Sequence, residues 1–332
     1  MIRRKSVTIL GGGAWGSVLA MVAETAGSRP TIWMHDESVA ARTQSSREPS
    51  RLPGLHLDED ILITADLAAA VRQARDAIVL AVPAQSIREI VIAAAPYIPT
   101  GVPIVLAAKG IENGTGRLLS EIIAEIIPQA PLAVMSGPGF AAEVARGLPT
   151  AVTLACRDGR IARRVAALFM LPHFRPYLSN DPVAAEIGGA LKNVMAIASG
   201  IIMGHGLGEN ARAALLTRGL AEMVRLGKAK GAKAASFSGL SGLGDLMLSA
   251  TSEKSRNYAL GLAIGRGASI RELSVDQQPL AEGMHTAAAA TVLAGTLNLD
   301  MPITTAVDAI LHLEANIKDC MAALLARPVG KE

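Results

Sequence analysis

The stretch Val7-Thr8-Ile9-Leu10-Gly11-Gly12-Gly13-Ala14-Trp15-Gly16-Ser17 decides the fold predicted for this chain. Apolar, partly β-branched residues stop at three glycines, and an apolar pattern with helical spacing begins at Val18. The glycines form G-x-G-x-x-G between a predicted strand and a predicted helix. Gly11 permits the tight turn, Gly13 lets a pyrophosphate approach the backbone, and Gly16 lets the helix pack against its strand. The stretch therefore predicts a dinucleotide-binding turn, with a glycine-rich turn that binds no ligand as the alternative.

The composition argues against several classes of protein. The 332 residues suffice for two domains, and a net charge of +3 with 3% aromatic residues does not favour a nucleic-acid partner. No uninterrupted apolar run reaches the roughly 18 residues of a membrane-spanning helix, so we expect no stable membrane insertion. The apolar segment after Arg3-Arg4-Lys5 is too short for a signal peptide, which predicts a cytoplasmic protein. Cys156 and Cys320 fit no disulfide or metal pattern and are expected to be buried as small hydrophobic residues.

A second strand, predicted at residues 30–34, ends at His35-Asp36. This is about 20 positions beyond the glycines, where a dinucleotide fold usually holds the adenosine ribose with an acidic residue. Asp36 favours a free 2′-hydroxyl, whereas His35 with Arg42 or Arg47 favours a 2′-phosphate. The choice between NAD and NADP therefore stays open.

From residue 61 to residue 177, apolar strands alternate with amphipathic helices. Strands are predicted at 61–64, 77–82, 103–108, 132–135, 151–156 and 174–177, and helices at 66–74, 86–95, 117–127, 140–146 and 160–171. Such alternation predicts an α/β domain over residues 1–180, a doubly wound sheet with helices on both faces. Ligands then collect outside the carboxyl ends of the strands, where Lys109 and the segment Ser136-Gly137-Pro138-Gly139 follow two predicted strands.

The pattern changes near residue 180. Asp181-Pro182 is a typical helix start, and apolar residues recur at helical spacing from Val183 to Ile201. From here we predict only helices, broken by glycine clusters at 204–208, 239–244 and 265–267 and including alanine-rich helices at 284–297 and 304–325. These features predict an all-α second domain over residues 181–332.

Two lysines are candidates for chemistry. Lys109 ends an apolar strand at the predicted cleft, although an ordinary solvated lysine is the alternative. Lys192 lies in the first helix of the second domain, three and four residues after Gly189 and Gly188. Two adjacent glycines cost about 1 kcal/mol each within a helix, so something should occupy the space beside them. A close-packed neighbour and a ligand lying over Lys192 both fit this pattern.

Two further segments carry polar residues suited to a site. Asp245 ends a glycine-rich, uncharged segment and either serves the site or caps the helix that follows. Ser255-Arg256-Asn257 begins another helix, and this trio fits either a phosphate site or an exposed helix cap.

These residues are part of a larger resemblance. The matching motifs are G11-GGAWGSVLA, L52-PG, A108-KGIE, S136-GP, L191-KNV, G242-LGDL, S255-RN and A281-EG. Over nearly its full length the sequence resembles the bacterial NAD(P)-dependent sn-glycerol-3-phosphate dehydrogenases. The resemblance implies a Rossmann-like N-terminal domain and a helical C-terminal domain like that of 6-phosphogluconate dehydrogenase. It also implies reduction of dihydroxyacetone phosphate for glycerophospholipid synthesis, and a homodimer.

The resemblance also implies roles for individual residues. It places the cofactor, NAD or NADP, against Gly11, Gly13, Ala14, Trp15, Gly16, His35, Lys109, Ala141, Arg256, Leu280 and Glu282. It places the substrate against Lys109, Gly137, Gly139, Lys192, Asp245, Ser255, Arg256 and Asn257. Lys192 is implied as the catalytic acid/base, assisted by Lys109 and Asp245, and cationic neighbours are expected to lower its pKa. Gly139 departs from the family, which commonly has Ser or Thr there, so any contact must come from its backbone or through water.

Two other functions share part of this pattern. A β-hydroxyacid dehydrogenase would have the same glycine-rich start and mid-helix lysine but would act on a carboxylate. A non-catalytic, NADP-sensing regulator would need only the dinucleotide site. The combination of Lys109, Lys192 and Asp245 disfavours a regulator, because simple binding needs no proton transfer.

Overall fold

The computed structural model describes residues 4–270, 273 and 281–328. Its N-terminal part is an eight-stranded sheet in the order β3-β2-β1-β4-β5-β6-β7-β8. Neighbouring strands are parallel except β6 and β7, which are antiparallel. The strands are β1 (Ser6–Leu10), β2 (Arg29–Trp33), β3 (Leu62–Thr64), β4 (Ala77–Leu80), β5 (Ile104–Leu106), β6 (Leu132–Ser136), β7 (Thr150–Ala155) and β8 (Phe174–Ser179). The predicted Rossmann-like, doubly wound sheet is confirmed.

Helices cover both faces of the sheet because successive strand residues alternate between two cores. In β4, Val79 packs with the helix residues Val18 and Leu19 on one face, whereas Ile78 packs with Ile87 on the other. The helices of this part are α1 (Ala14–Thr25), α2 (Glu37–Ser46), α3 (Leu67–Arg72), α4 (Ile87–Ala94), α5 (Leu119–Ile126), α6 (Ala141–Ala145) and α7 (Gly159–Ala166).

The chain then becomes helical. The helices are α8 (Pro182–Gly204), α9 (Gly208–Ala229), α10 (Asp245–Ala250), α11 (Arg256–Gly265), α12 (Glu282–Thr296), α13 (Pro302–His312) and α14 (Ile317–Leu325). No strand follows β8 within the described residues. The predicted start of α8 is confirmed, because the Asp181 carboxylate accepts a hydrogen bond from the N–H of Ala184 at 3.0 Å. We propose residue 180, between β8 and α8, as the boundary between the two domains.

Helix α8 is the centre of the helical domain. It is the one helix in the described part of the chain that is long and apolar enough to cross a membrane. However, 83% of its most apolar window is buried inside the protein, as is usual for a core helix. It packs closely on α11 because glycines line the contact. A Cβ at Gly200 would stand 2.2 Å from the carbonyl oxygen of Tyr258, and one at Gly261 would stand 2.1 Å from that of Ile197.

A loop of the sheet domain enters the helical core. Residues 107–118 connect β5 to α5, and Ile111 and Leu118 of this loop are buried in the same apolar cluster as Leu191 and Val194 of α8. The two domains therefore share part of one core. This contact carries the cleft residue Lys109 to the side of α8.

One predicted helix was wrong in its extent. The helix expected at 304–325 is two helices, α13 and α14, because the chain turns between them. Glu314 adopts a left-handed backbone with φ +53°, and the side chain of Asn316 caps α14 by accepting from the N–H of Lys318 at 2.8 Å. Cys156 is buried as predicted, whereas Cys320 is only partly buried, and both are free thiols.

Candidate active site

The glycine turn between β1 and α1 has the geometry of a phosphate cradle. Gly11 has φ +120°, and a Cβ there would stand 2.6 Å from the carbonyl oxygen of Ala81. A Cβ at Gly16 would stand 1.9 Å from the carbonyl oxygen of Gly11. By contrast, a Cβ at Gly13 would meet no atom within 4 Å, so the space above the start of α1 is open. Gly11 and Gly16 are required by the fold, and Gly13 leaves room for a pyrophosphate at a helix N-terminus.

Trp15 lies beside this turn and faces the segment after β6. Its indole atoms Cη2 and Cζ3 lie 3.3 and 3.5 Å from where a Cβ of residue 139 would stand. The side chain is partly buried and is not hidden in the sheet core. Gly139 therefore leaves room for the indole ring, and Trp15 and Ala141 both pack, partly buried, against the same core of the sheet domain.

Three predicted residues meet in one buried ionic cluster. The Lys109 ammonium lies 2.6 Å from Oδ2 of Asp245, and the Lys192 ammonium lies 2.9 Å from Oδ1 of the same carboxylate. The Asp245 side chain is 1% exposed, against 19% for Lys109 and 12% for Lys192. These residues come from the loop after β5, from α8 and from α10, and one carboxylate between two ammonium groups leaves a net charge of +1.

The pKa shifts in the cluster have clear causes. The pKa of Lys192 is lowered to about 8, mainly by burial; the attraction of Asp245 opposes this shift, and the repulsion from Lys109 adds to it. Neighbouring cations were expected to be the cause, but burial is the larger effect. Burial alone would raise the pKa of Asp245, yet the two ammonium groups outweigh it and hold that pKa below its usual value.

Each ammonium keeps hydrogen-bonding capacity for a ligand. Lys109 also donates to the carbonyl oxygen of Gly137 at 3.2 Å, and Lys192 also donates to the Ser249 hydroxyl at 2.8 Å. An ammonium has three N–H groups, so each lysine retains one without a hydrogen-bond acceptor among the described residues. The cluster can therefore polarise an oxygen and pass it a proton.

Ser249 is a member of this cluster that the sequence reasoning missed. Its hydroxyl lies 3.3 Å from Oδ1 of Asp245, one helical turn away on α10. The available signal was the spacing of four residues from Asp245, which places both side chains on one face of a helix.

The protein itself fills the space beside Gly188 and Gly189. A Cβ at Gly188 would stand 2.3 Å from the carbonyl oxygen of Ser241, in a π-helical turn formed by Leu240–Gly244. A Cβ at Gly189 would stand 2.6 Å from Oγ of Ser136 and 3.3 Å from Cγ of Lys109. Of the two alternatives that the sequence left open, the close-packed neighbour accounts for these glycines. They allow the segments carrying Asp245 and Lys109 to approach α8.

The start of α11 lies in the helical domain as predicted. Ser255 caps the helix by accepting from the N–H of Tyr258, and Arg256 is exposed at the first position. The Asn257 side chain is already engaged, because it donates to Oδ1 of Asn193 and accepts from the N–H of Gly283. A ligand here can therefore use the Arg256 guanidinium and the helix backbone more readily than the Asn257 amide.

An ion pair crosses between the domains next to this helix start. The Lys254 ammonium lies 2.7 Å from a carboxylate oxygen of Glu143 in α6. Both side chains are at least partly exposed, so the pair contributes little to stability. Its position shows that the start of α11 faces the segment that follows β6.

The remaining predicted cofactor residues lie in different parts of the structure, and one of them lies outside the described residues. Burial raises the pKa of Glu282, whereas Arg256, Lys192 and Lys109 act in the opposite direction, so Glu282 lies within electrostatic reach of the cluster. His35 is exposed after β2, with its ring 6.0 Å from that of Trp33. Asp36 caps α2 by accepting from the N–H of Val39 at 3.0 Å. Leu280 lies outside the described residues.

Comparisons with known proteins fit this geometry. Residues 6–162 match the family described as "NAD-dependent glycerol-3-phosphate dehydrogenase N-terminus", and residues 181–322 match the one described as its C-terminus. The chain belongs to the NAD-dependent glycerol-3-phosphate dehydrogenase family.

Individual relatives of this dehydrogenase family match almost end to end. A protein from Rhodospirillum rubrum named glycerol-3-phosphate dehydrogenase [NAD(P)+] is 48% identical over 98% of this chain and 93% of its own length. One of the same name from Parvibaculum lavamentivorans is 46% identical over 99% of this chain and 98% of its own length. A crystal structure titled glycerol-3-phosphate dehydrogenase from Coxiella burnetii superposes with a TM-score of 0.92 at 36% identity, covering 98% of this chain and 99% of that one.

Proposed function

We propose that the chain reduces dihydroxyacetone phosphate to sn-glycerol 3-phosphate with NADH or NADPH, supplying glycerophospholipid synthesis. The observation that carries the proposal is the buried cluster in which Lys109 and Lys192, from different domains, share the Asp245 carboxylate. A protein that only bound a dinucleotide would have no use for a buried lysine with a pKa near 8. Membership of the family supports the same reaction.

Lys192 is the proposed acid/base. A bound NADH or NADPH supplies the hydride that reduces the ketone carbon. The Lys192 ammonium donates a proton to the oxygen of that carbon, and the neutral amine takes the proton back in the reverse reaction. Asp245 holds Lys192 in place and stabilises its charged form, while Lys109 adds positive charge beside the oxygen.

The helix start at Ser255-Arg256-Asn257 is the proposed phosphate site. Arg256 offers a planar guanidinium that can bind phosphate with two parallel hydrogen bonds, and the N-terminus of α11 adds a favourable dipole. Gly137 holds Lys109 through its carbonyl oxygen, so the segment after β6 approaches the cluster from the other domain.

Residues of the sheet domain are proposed to hold the cofactor. Gly11, Gly13, Ala14 and Gly16 would cradle the pyrophosphate, Trp15 and Ala141 would line one wall, and His35 would face the adenosine ribose. Arg256 and Glu282, from the helical domain, would close the nicotinamide side. Because Asp36 already caps α2, its carboxylate is less available for a ribose hydroxyl than the sequence suggested. We further propose a cytoplasmic homodimer, and light scattering measures that state.

The reaction is tested by following NADH and NADPH oxidation with different acceptors. We expect rapid oxidation with dihydroxyacetone phosphate and little with unphosphorylated dihydroxyacetone, a 2-keto acid or no acceptor. Faster oxidation with the 2-keto acid would instead indicate a β-hydroxyacid dehydrogenase. Binding of either cofactor without turnover on any acceptor would indicate a regulator.

Arg256→Ala tests the phosphate site. Loss of a charge-assisted pair should raise KM for dihydroxyacetone phosphate by about tenfold to a hundredfold, since such a hydrogen bond contributes about 1.5–3 kcal/mol. Arg266→Ala, at the exposed far end of the same helix, is the matched control and should leave KM unchanged. An unchanged KM in Arg256→Ala would show that the substrate phosphate does not bind at the start of this helix.

A further inference from the structure

A buried carboxyl group outside the ionic cluster joins the two domains. Glu186 lies on α8 and is 3% exposed. One of its oxygens accepts from the N–H of Ser120 at 3.0 Å, and the other accepts from the Ser120 hydroxyl. Ser120 belongs to α5 of the sheet domain, so both hydrogen bonds cross the domain interface.

The start of α5 needs this acceptor because its own sequence lacks one. Leu118 occupies the N-cap position, and its hydrocarbon side chain cannot accept a hydrogen bond from the first turn. Glu121 satisfies the N–H of Leu118, from which its carboxylate accepts at 2.9 Å, but not the N–H of Ser120. The Ser120 N–H is partly buried at the domain interface, where leaving it without an acceptor would be costly. Glu186 therefore caps a helix of the other domain.

The two ends of this contact lead directly to the catalytic lysines. On one side, α5 follows the loop 107–118 that carries Lys109, so fixing the start of α5 fixes the far end of that loop. On the other side, Lys192 lies six residues after Glu186 on the same helix, about 9 Å along its axis. Ile111, two residues after Lys109, forms a β-bridge with Leu118 at the start of α5. A shift of α5 against α8 would therefore move Lys109 relative to Lys192.

We propose that Glu186 is a positioning residue, which clasps α8 to the start of α5 and thereby holds Lys109 and Lys192 on the single carboxylate of Asp245. This inference rests on the proposed function of the lysine cluster. It assigns Glu186 no contact with substrate or cofactor.

The hydrogen bonds of Glu186, rather than its charge, perform this role. Burial raises its pKa to about 7, and the charge of Glu121 adds to the rise, while the hydrogen bonds from Ser120 oppose it. Lys230, at the end of α9, neutralises part of the Glu121 charge through an ion pair. A carboxyl group that is half protonated near neutral pH can be replaced by an amide. A glutamine would accept from the Ser120 N–H with its oxygen and donate to the hydroxyl with its nitrogen.

The test compares Glu186→Ala, Glu186→Gln and Ser120→Ala in the full-length protein. In Glu186→Ala, we expect kcat for dihydroxyacetone phosphate reduction to fall about tenfold to a hundredfold, since small misplacements of reacting groups have such effects. KM for the nicotinamide cofactor should change less than about threefold, because the hydrogen bonds of Glu186 go to Ser120 and not to the glycine turn. The pH at which kcat/KM for reduction falls, through loss of the Lys192 proton, should also rise as the cluster loosens. Glu186→Gln should restore all three values.

Controls separate this role from a purely structural one. Glu125→Ala removes an exposed carboxylate from the other end of α5 and should leave kcat unchanged. If Glu186→Ala is too unstable to assay, Ser120→Ala removes one of the two hydrogen bonds and should give a smaller fall in kcat of the same kind. Wild-type kcat and an unmoved pH limb in both Glu186→Ala and Ser120→Ala overturn the proposal, as does a Glu186→Gln variant as impaired as Glu186→Ala.

One measurement is independent of the proposed reaction. Hydrogen exchange of the Ser120 amide, followed without substrate or cofactor, should be about tenfold faster in Glu186→Ala than in the wild type and unchanged in Glu186→Gln. Unaltered exchange in Glu186→Ala overturns the proposal that Glu186 holds the start of α5, even if the enzyme reduces dihydroxyacetone phosphate. Failure of the wild type to reduce dihydroxyacetone phosphate refutes the proposed function without affecting the exchange result.

Discussion

The surroundings of Lys192 suit the proton transfer that we propose for it. Removal from water disfavours its charged form, and the nearby Lys109 adds repulsion, so its pKa falls to about 8. Asp245 prevents a larger fall and keeps the side chain charged at neutral pH. A group with a pKa near the working pH can both give and accept a proton, as a reversible dehydrogenase requires.

The two directions of the reaction should therefore respond oppositely to pH. Reduction of the ketone needs protonated Lys192, so its kcat/KM should fall as pH rises through about 8. Oxidation of glycerol 3-phosphate needs the neutral amine, so its kcat/KM should rise up to about the same pH. Initial rates in both directions between pH 6 and about 10 measure the two limbs. If kcat/KM changed in the same direction with pH for both reactions, the assignment of Lys192 as the acid/base would be contradicted.

Contacts between helices depend on glycines whose function is to remove bulk. Gly200 on α8 faces the backbone of α11, where a Cβ would stand 2.2 Å from the carbonyl oxygen of Tyr258 and 2.6 Å from the N–H nitrogen of Leu262. Backbone atoms cannot move aside as a flexible side chain can. The helices would have to separate, although alanine is otherwise the better helix former.

Gly200→Ala should therefore lower the free energy of unfolding by about 1–3 kcal/mol, as other overpacked core substitutions do. Gly295→Ala, in α12, is the matched control, because a Cβ there would meet no atom within 4 Å. This control should be neutral or stabilising by up to about 1 kcal/mol. Thermal and urea unfolding of both variants measures the difference, and equal stabilities would show that the contact between α8 and α11 can relax.

The sequence predicts most elements but misses those without an apolar repeat. The strands lie within about two residues of their predicted positions, because each is an apolar run bounded by turn residues. Helix α2 was not predicted, since only Ala40 and Thr43 are buried along it. Its clearest signal is Asp36, one of the two alternatives for holding the ribose, which caps the helix.

The site was predictable in its members but not in its contacts. Lys109 follows a strand and Lys192 lies in the middle of a helix, and both positions are visible in the sequence. That both lysines bind Asp245, and that Gly188 and Gly189 make this approach possible, depends on how the two domains pack. Such long-range contacts leave no periodic pattern. Ser249 differs, because its spacing of four residues from Asp245 is a local signal that the sequence does carry.

At the scale of the whole molecule, the active cluster exists only where the two domains meet. Lys109 comes from the sheet domain, and Lys192 and Asp245 come from the helical domain. The loop 107–118 carries part of the sheet domain into the helical core, and Glu186 returns a carboxyl group to α5. The domain interface therefore assembles the proposed active site, and the dinucleotide turn alone would not specify a reaction.

The most direct test of this account is single-turnover reduction of dihydroxyacetone phosphate by the Lys192→Met variant with bound NADH or NADPH. Methionine has a similar length and apolar stem but no proton to donate. The account predicts a loss in rate of about 10² to 10⁴, with unchanged cofactor affinity, because general acid catalysis contributes about that much. Lys228→Met, at an exposed position of α9, should behave as the wild type. Reduction by Lys192→Met at the wild-type rate would contradict the central claim that Lys192 transfers the proton.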